Sequence, residues 1–249
     1  MSLLDTSDKV FWHNFVQFYE TWFQGRSFSN IAEIGLFKGN SMRWLLQRFP
    51  SAELYGADIM PVQPEWPVDP RFHFSQLDQS DIPKLKAFLQ QQAFDLIIED
   101  GSHFPQHQAL ALILGIQALK PGGLYILEDI HTSHPEHAMA QALVQQSGKP
   151  HVGTAMSVLL AIDHYKRIGV EVDEAKAAAI ARDSIINEID VLFLAKRIGR
   201  ISLYKRTNLP DYCYSCGATD FDFSAYKCRC GIDVFSDADS MSFVIEKAA

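Results

Sequence analysis

Two stretches of this chain end alike, and that likeness narrows the folds open to it. "DLIIEDGSH" spans residues 95 to 103, and "LYILEDIHTSH" spans residues 124 to 134. In each, a run of large apolar residues stops abruptly at two carboxylates, with a histidine a few residues on. Leu96 to Ile98 and Leu124 to Leu127 are continuous apolar runs, the habit of strands covered on both faces in a parallel sheet. Between them, "FPQHQALALILGIQALKPGG" has apolar residues at helical spacing, a proline near its start and Pro121-Gly122-Gly123 as a stop. The unit is strand, helix, strand. Ligands of open α/β sheets bind beyond the carboxyl ends of the strands, so both acidic pairs are expected on the functional edge.

The rest of the chain extends the pattern. "NIAEIGLFKGNS" reads as a strand ending in a glycine-rich turn, then a helix through Phe49. "AELYGADI" and "RFHFSQLD" read as the second and third strands, and "SDIPKLKAFLQQQ" opens with a helix cap and a proline. Five alternating strand-helix units predict an α/β fold with a doubly wound, mostly parallel, Rossmann-like sheet. Ahead of it, Phe11, Phe15, Phe18 and Trp22 share one helical stripe, expected to pack on the domain or on a second subunit, which leaves room for a homo-oligomer. From about 133 to 208 the pattern is mostly helical, with "EAKAAAIARDSIINEI" its clearest segment. The expected division is a main domain at 1–208, a cysteine-bearing module at 209–232, and a return to the sheet at 233–249. For the last two strands "GIDVF" and "SMSFVIEK" are preferred, with the module inserted ahead of them. The alternative closes the sheet with "IDVLFLAK" and "RISLYKR" and leaves the module as a C-terminal appendage.

With 249 residues, 47 % of them apolar and 21 % charged, one α/β domain with a sizeable core is expected. A net charge of −8 disfavours a protein that grips nucleic-acid phosphates. The opening residues lack a basic stretch followed by an apolar one, and no apolar run approaches the roughly 18 residues needed to span a bilayer. The expectation is a cytoplasmic chain with neither nucleic acid nor membrane as partner, whose thiols stay reduced unless they hold metal. All four cysteines cluster as Cys213-x2-Cys216-x11-Cys228-x-Cys230, a set that favours tetrahedral, structural Zn²⁺ over two disulfides or idle thiols. Asp residues surround Lys227 and Arg229, which argues against a nucleic-acid-binding ribbon.

The glycine turn "EIGLFKGNS" sets Glu33, Gly35 and Gly39 in an E-x-G-x-x-x-G pattern. A dinucleotide turn has G-x-G-x-x-G, from which Leu36-Phe37 departs. The wider spacing resembles motif I of class I S-adenosylmethionine methyltransferases, where glycine clears the Cβ from the approach of the methionine part. Asp58 ends the second strand, where a carboxylate can accept hydrogen bonds from both ribose hydroxyls. "QLDQSD" supplies Asp78, Ser80 and Asp81 after the third strand, at the adenine edge. The plainer alternative makes all of these ordinary turns and caps.

Adjacent strand residues point to opposite faces, so only one member of each acidic pair need face the crevice. Converging carboxylates repel unless a cation or proton lies between them, and oxygen-only ligands suit Mg²⁺. "DGSH", "LKPGGLYILEDIHTSH" and "SVLLAIDHYK" resemble the metal-dependent sugar O-methyltransferases of macrolide and rhamnosyl natural products, and the related cephalosporin-hydroxylase family, over residues 30 to 165. The resemblance implies Asp100, Glu128 and Asp129 as Mg²⁺ ligands, His103 as general base, and methyl transfer from S-adenosylmethionine to a small-molecule hydroxyl. The acceptor expected is a vicinal diol of a sugar or natural product, since a cation acidifies coordinated hydroxyls and a neutral imidazole near pH 7 can take the proton. The chain departs from these families at Glu99, where a second Asp is frequent, and at His134, where a Tyr is usual; both bear on substrate identity. Glu99 is open to facing back into the helix layer, and His107 and His131 read as structural or as neighbours of the ligands. Two other outcomes stand beside this one: a cofactor-binding protein of non-methylating chemistry, and a zinc-ribbon interaction protein on an inactive scaffold. The intact Asp100, His103, Glu128 and Asp129 set argues against the last.

Overall fold

The computed structural model describes residues 7–205, 209, 211–213, 215–225, 227–233 and 240–249. Its main sheet contains β1 (Asn30–Ile34), β2 (Glu53–Asp58), β3 (Phe72–Gln76), β4 (Phe94–Glu99), β5 (Leu119–Leu127) and β6 (Ile198–Lys205). A short hairpin, β7 (Phe221–Asp222) with β8 (Lys227–Cys228), stands apart, and β9 (Met241–Lys247) returns to the main sheet. The order across that sheet is β3-β2-β1-β4-β5-β9-β6, parallel through the first five and antiparallel at β9. The chain winds outward from β1 to β3 and then back to β4, so the switch point of this doubly wound sheet lies between β1 and β4.

Helices α1 (Asp8–Phe11) and α2 (Phe15–Phe23) precede the sheet. Helices α3 (Asn40–Arg48), α4 (Ile82–Leu89) and α5 (Pro105–Ala118) follow β1, β3 and β4. Helices α6 (Ala138–Ser147), α7 (Ala155–Arg167), α8 (Glu174–Ala181) and α9 (Glu188–Arg197) lie between β5 and β6. Alternation along the strands sorts the core into two layers. Leu96, Ile98, Leu124 and Ile126 pack toward α2 and α3, while Ile97, Tyr125 and Leu127 pack toward α4, α5 and α7. Among the described residues no helix is long and apolar enough to cross a membrane.

Four details depart from the sequence pattern. First, "RISLYKR" supplies β6 and "GIDVF" supplies no strand of the main sheet: Gly231 to Asp233 stay with the cysteine module, and residues 234 and 235 lie outside the described residues. The cysteine module is therefore inserted between β6 and β9, not ahead of the final two strands. "IDVLFLAK" is helical, because the Asn187 side chain accepts from Asp190 N, with acids in the first turn and Lys196 and Arg197 in the last. Second, "EAKAAAIARDSIINEI" splits into α8 and α9 where Ser184 bridges Gly153 and Asn187 caps the next helix. Third, no helix forms in residues 59–71 between β2 and β3. Fourth, the N-terminal helix breaks at Asn14, whose φ is 55°. The break rotates the buried stripe to Phe15, Tyr19 and Phe23 and leaves Phe18 and Trp22 only partly covered.

Candidate active site

Strand alternation carried past the strand ends sorts the acids. Glu33 shares the α2/α3 face with Ile31, Asp100 follows Leu96 and Ile98 onto it, and Glu128 follows Leu124 and Ile126. Three carboxylates from adjacent strands thus converge on one side, and Lys9 of α1 meets them. Its Nζ lies 2.5 Å from Asp100 Oδ2, 2.6 Å from Glu128 Oε2 and 3.7 Å from Glu33 Oε1. Burial on its own would discharge Lys9, but Asp100, Glu128 and Glu33 outweigh it and hold its pKa well above the ordinary value.

Glu99 faces the other way, as an alternating strand requires. It is fully buried, and its Oε1 accepts from Gln79 Nε2 at 2.7 Å. Gln79 Oε1 accepts in turn from Ser102 N at 2.9 Å, so one amide side chain ties the third strand's loop to the D-G-S-H turn. Burial pushes the Glu99 carboxyl up to about 7.

Asp129 and His103 leave strand geometry altogether. Their φ values of 49° and 57° lie in the left-handed region that non-glycine residues seldom adopt, a strain concentrated at functional sites. The result turns Asp129 toward the D-G-S-H turn: His103 Nε2 stands 3.7 Å from Asp129 Oδ2 and 4.0 Å from Asp100 Oδ1. Thr132 Oγ1 donates to the His103 carbonyl at 2.7 Å and fixes the turn. His13 Nδ1 and His131 Nδ1 stand 3.8 Å and 3.7 Å from Asp129 Oδ1. His107 pairs with Ser102 Oγ, and His134 Nδ1 accepts from Glu136 N, so neither reaches this group.

The residues present fit a divalent cation. One ligand atom each from Asp100, His103 and Asp129 falls within 4.8 Å of the others. Asp129 Oδ1, Glu128 Oε1 and His103 Nδ1 are buried with no hydrogen-bond partner among the described residues, a condition a bound cation and its waters would relieve. Glu128 stands apart from that trio, its Oε2 given to Lys9.

The same residues border a cavity of about 390 Å³ that reaches Gly35, Leu36, Asp58 and Asp78. Gly35 has φ +87°, and a Cβ there would stand 2.0 Å from the Asp100 carbonyl oxygen. Its glycine is demanded by the neighbouring backbone, not only by the approach of a ligand. Gly39, outside the cavity wall, is also left-handed, and its Cβ would press on Trp66. Asp58 accepts from Leu36 N at 2.7 Å, Phe37 N at 3.2 Å and Met60 N at 2.8 Å, so it fastens the glycine turn while bordering the cavity. Glu33 sits behind the wall and accepts from Ser41 Oγ at 2.7 Å. Asp78 borders the cavity, and hydrogen bonds from Ser80 hold its carboxyl below the ordinary range. Ser80 and Asp81 do not line the cavity; Asp81 accepts from Lys84 N and caps α4.

Lys9, His13 and Gln79 escaped the sequence reading. Gln79 lies inside "QLDQSD", between two residues singled out for the adenine edge. Lys9 had one available signal: acids gathered at buried strand ends call for a positive charge among them.

The four cysteine sulfurs also lie within 4.8 Å of one another, with Cys213 to Cys230 at 3.7 Å and Cys216 to Cys228 at 3.4 Å. Sulfurs on a tetrahedral zinc with 2.3 Å bonds stand about 3.8 Å apart, so the spacing suits one shared ion. Gly217 and Gly231, both left-handed, turn their N–H groups back to the carbonyls of Cys213 and Cys228.

Switch point, glycine turn and strand-end acids define an α/β methyltransferase scaffold, and residues 32–130 match the family model described as a methyltransferase domain. The chain carries such a domain. It is 31 % identical over 167 residues to mycinamicin VI 2''-O-methyltransferase of Micromonospora griseorubida, covering 62 % of this chain and 41 % of that protein. It is 27 % identical over 158 residues to 8-demethyl-8-(2-methoxy-alpha-L-rhamnosyl)-tetracenomycin-C 3'-O-methyltransferase of Streptomyces olivaceus, covering 59 % of this chain and 40 % of that one. The chain thus spans about two fifths of the length of these curated relatives. A solved structure of MycE methyltransferase from the mycinamycin biosynthetic pathway, in complex with Mg and SAH, superposes with a TM-score of 0.62 at 21 % identity. That alignment covers 100 % of this chain and 54 % of MycE, and shows that the two share a fold.

Proposed function

We propose that this chain is an S-adenosylmethionine- and Mg²⁺-dependent O-methyltransferase acting on a hydroxyl of a sugar-bearing small molecule. The observation that carries the reading is the convergence of Asp100, His103 and Asp129 on the cavity that Asp58 and the Gly35 turn also border. Asp58, Asp78 and the glycine turn bind S-adenosylmethionine; Asp58 both shapes the turn and offers its carboxylate to the ribose hydroxyls. Asp100 and Asp129 hold the cation, with the free Oε1 of Glu128 behind them. Bound Mg²⁺ supplies acidification of the acceptor hydroxyl. His103 takes the hydroxyl proton on an imidazole nitrogen as the methyl group passes from sulfur to oxygen. Asp129 stands beside it, with Oδ2 3.7 Å from His103 Nε2. The relatives named above, by their names O-methyltransferases of mycinamicin VI and of a rhamnosyl tetracenomycin C, support this substrate class. The four cysteines hold one structural Zn²⁺, a reading that rests on their spacing.

The test is methyl transfer from labelled S-adenosylmethionine to a panel of glycosylated macrolides and rhamnosides, with Mg²⁺ or with EDTA. Magnesium-dependent ether formation is expected. His103→Ala should lower kcat by about 10²–10⁴-fold, the usual share of a positioned base, with cofactor affinity retained. Wild-type turnover in that variant across pH 6 to 9 assigns the base elsewhere.

A further inference from the structure

Lys9 and His13, which reach the acid cluster, flank Trp12, which points to the cysteine module. Trp12 is buried against Cys213, Ala218 and Cys228, with Leu209, Phe221 and Ile232 packed alongside. His13 hydrogen-bonds Ser240 beside β9, and Tyr19 OH bonds Ser242 Oγ at 3.2 Å. Residues 7–14 therefore run between two fixed bodies, the cysteine module and the sheet edge, and from that position Lys9 enters the cavity wall.

We propose that the four-cysteine module anchors this segment. Trp12, seated on Cys213 and Cys228, positions Lys9 against Asp100 and Glu128, and so sets how tightly the acid cluster holds a divalent cation. This rests on the reading of Asp100 and Asp129 as cation ligands. Lys9 is a positioning residue. Its ammonium, 2.5 Å from Asp100, occupies one carboxylate oxygen, turns the other toward the His103 side, and opposes a second positive charge. The cysteines do not border the cavity, so the module acts on the site at a distance, through Trp12.

The experiment uses the full chain and Mn²⁺ alone as probe. Mn²⁺ affinity is measured by calorimetry, and amide exchange is followed in residues 7–14 and in β4 and β5, for wild type, Lys9→Met, Lys9→Arg, Trp12→Ala and the paired Cys216→Ser, Cys230→Ser variant. The paired variant removes two exposed thiols and leaves Trp12's own contacts chemically intact. Lys9→Met should tighten Mn²⁺ by about tenfold or more, and Lys9→Arg should stay near wild type. Trp12→Ala and the cysteine pair should tighten Mn²⁺ comparably and speed exchange in residues 7–14, with β4 and β5 protection unchanged as the check on folding. Lys9→Met combined with Trp12→Ala should add almost nothing further, because both remove one effect. Independent, multiplying effects, or unchanged exchange in the cysteine pair, overturn the anchor. Absence of Mn²⁺ binding in every form overturns the cation reading instead, and exchange in residues 7–14 then still decides the anchor.

Discussion

Glu33 is buried under the glycine turn, and its titration bears on stability. Burial pushes its carboxyl from the ordinary 4.5 up to about 7, against Lys9 and Ser41, which both favour the charged form. An acid whose folded pKa lies above its unfolded one binds more protons when folded. Its contribution to stability is complete below pH 4.5 and is lost as the pH rises to about 7. Glu33→Gln keeps an acceptor for Ser41 and cannot ionise, so it should flatten that slope. Urea titrations at pH 4.5 and 7.5 are expected to show the variant gaining on wild type by up to about 3 kcal/mol at the higher pH, at 1.36 kcal/mol per unit. Equal pH dependence in the two proteins would mean that water or Lys9 keeps Glu33 charged.

At the level of elements, the β1 turn and the β4 turn behave as one part. Gly35 sits with φ +87° against the Asp100 carbonyl, where a methyl group would meet backbone at 2.0 Å. Gly35→Ala should cost more than about 2 kcal/mol in a denaturant melt, and any folded fraction should lose divalent-cation affinity because Asp100 has to move. A loss under about 0.5 kcal/mol would show that the turns yield independently. What the sequence disclosed at this scale follows from local periodicity. Apolar runs located β4 and β5, and the two-residue period implied that one acid of each pair faces the crevice. Asp100 and Glu128 do share a face, opposite Glu99. The edge strand β6 is hard to read from local pattern: its burial alternates weakly, and "GIDVF" is the more apolar string. Lys9 was beyond local patterns: its partners Asp100 and Glu128 lie 91 and 119 residues away. The left-handed backbones of Asp129 and His103 carry no glycine to announce them.

Across the whole molecule, the cysteine module is an insertion between the last two strands of the sheet, with four sulfurs spaced to share one metal ion. Reduced, purified protein should carry about one zinc per chain by elemental analysis, as four thiolates at one tetrahedral site imply. Stripping it should disorder residues 209–232 and lower the thermal midpoint, while the parallel strands keep their amide protection. Reduced protein without bound metal but with full order around Cys213 and Cys228 would make the sulfurs ordinary core groups.

Trp12 against Cys213 and Cys228 also fixes a sequence of events in time. During synthesis the segment holding Lys9 emerges before the cysteines, and Trp12 lacks its cover until residues near 230 have left the ribosome and folded. The parallel strands can pair with one another in the meantime, with only the outer edge of β5 waiting for β9. The cavity wall is then completed last, by a contact of high sequence separation that is slow to form. A chain interrupted before the second cysteine pair would present a formed sheet edge with its acids exposed to water. Zinc supply, rather than the sheet, would then set when the site becomes whole.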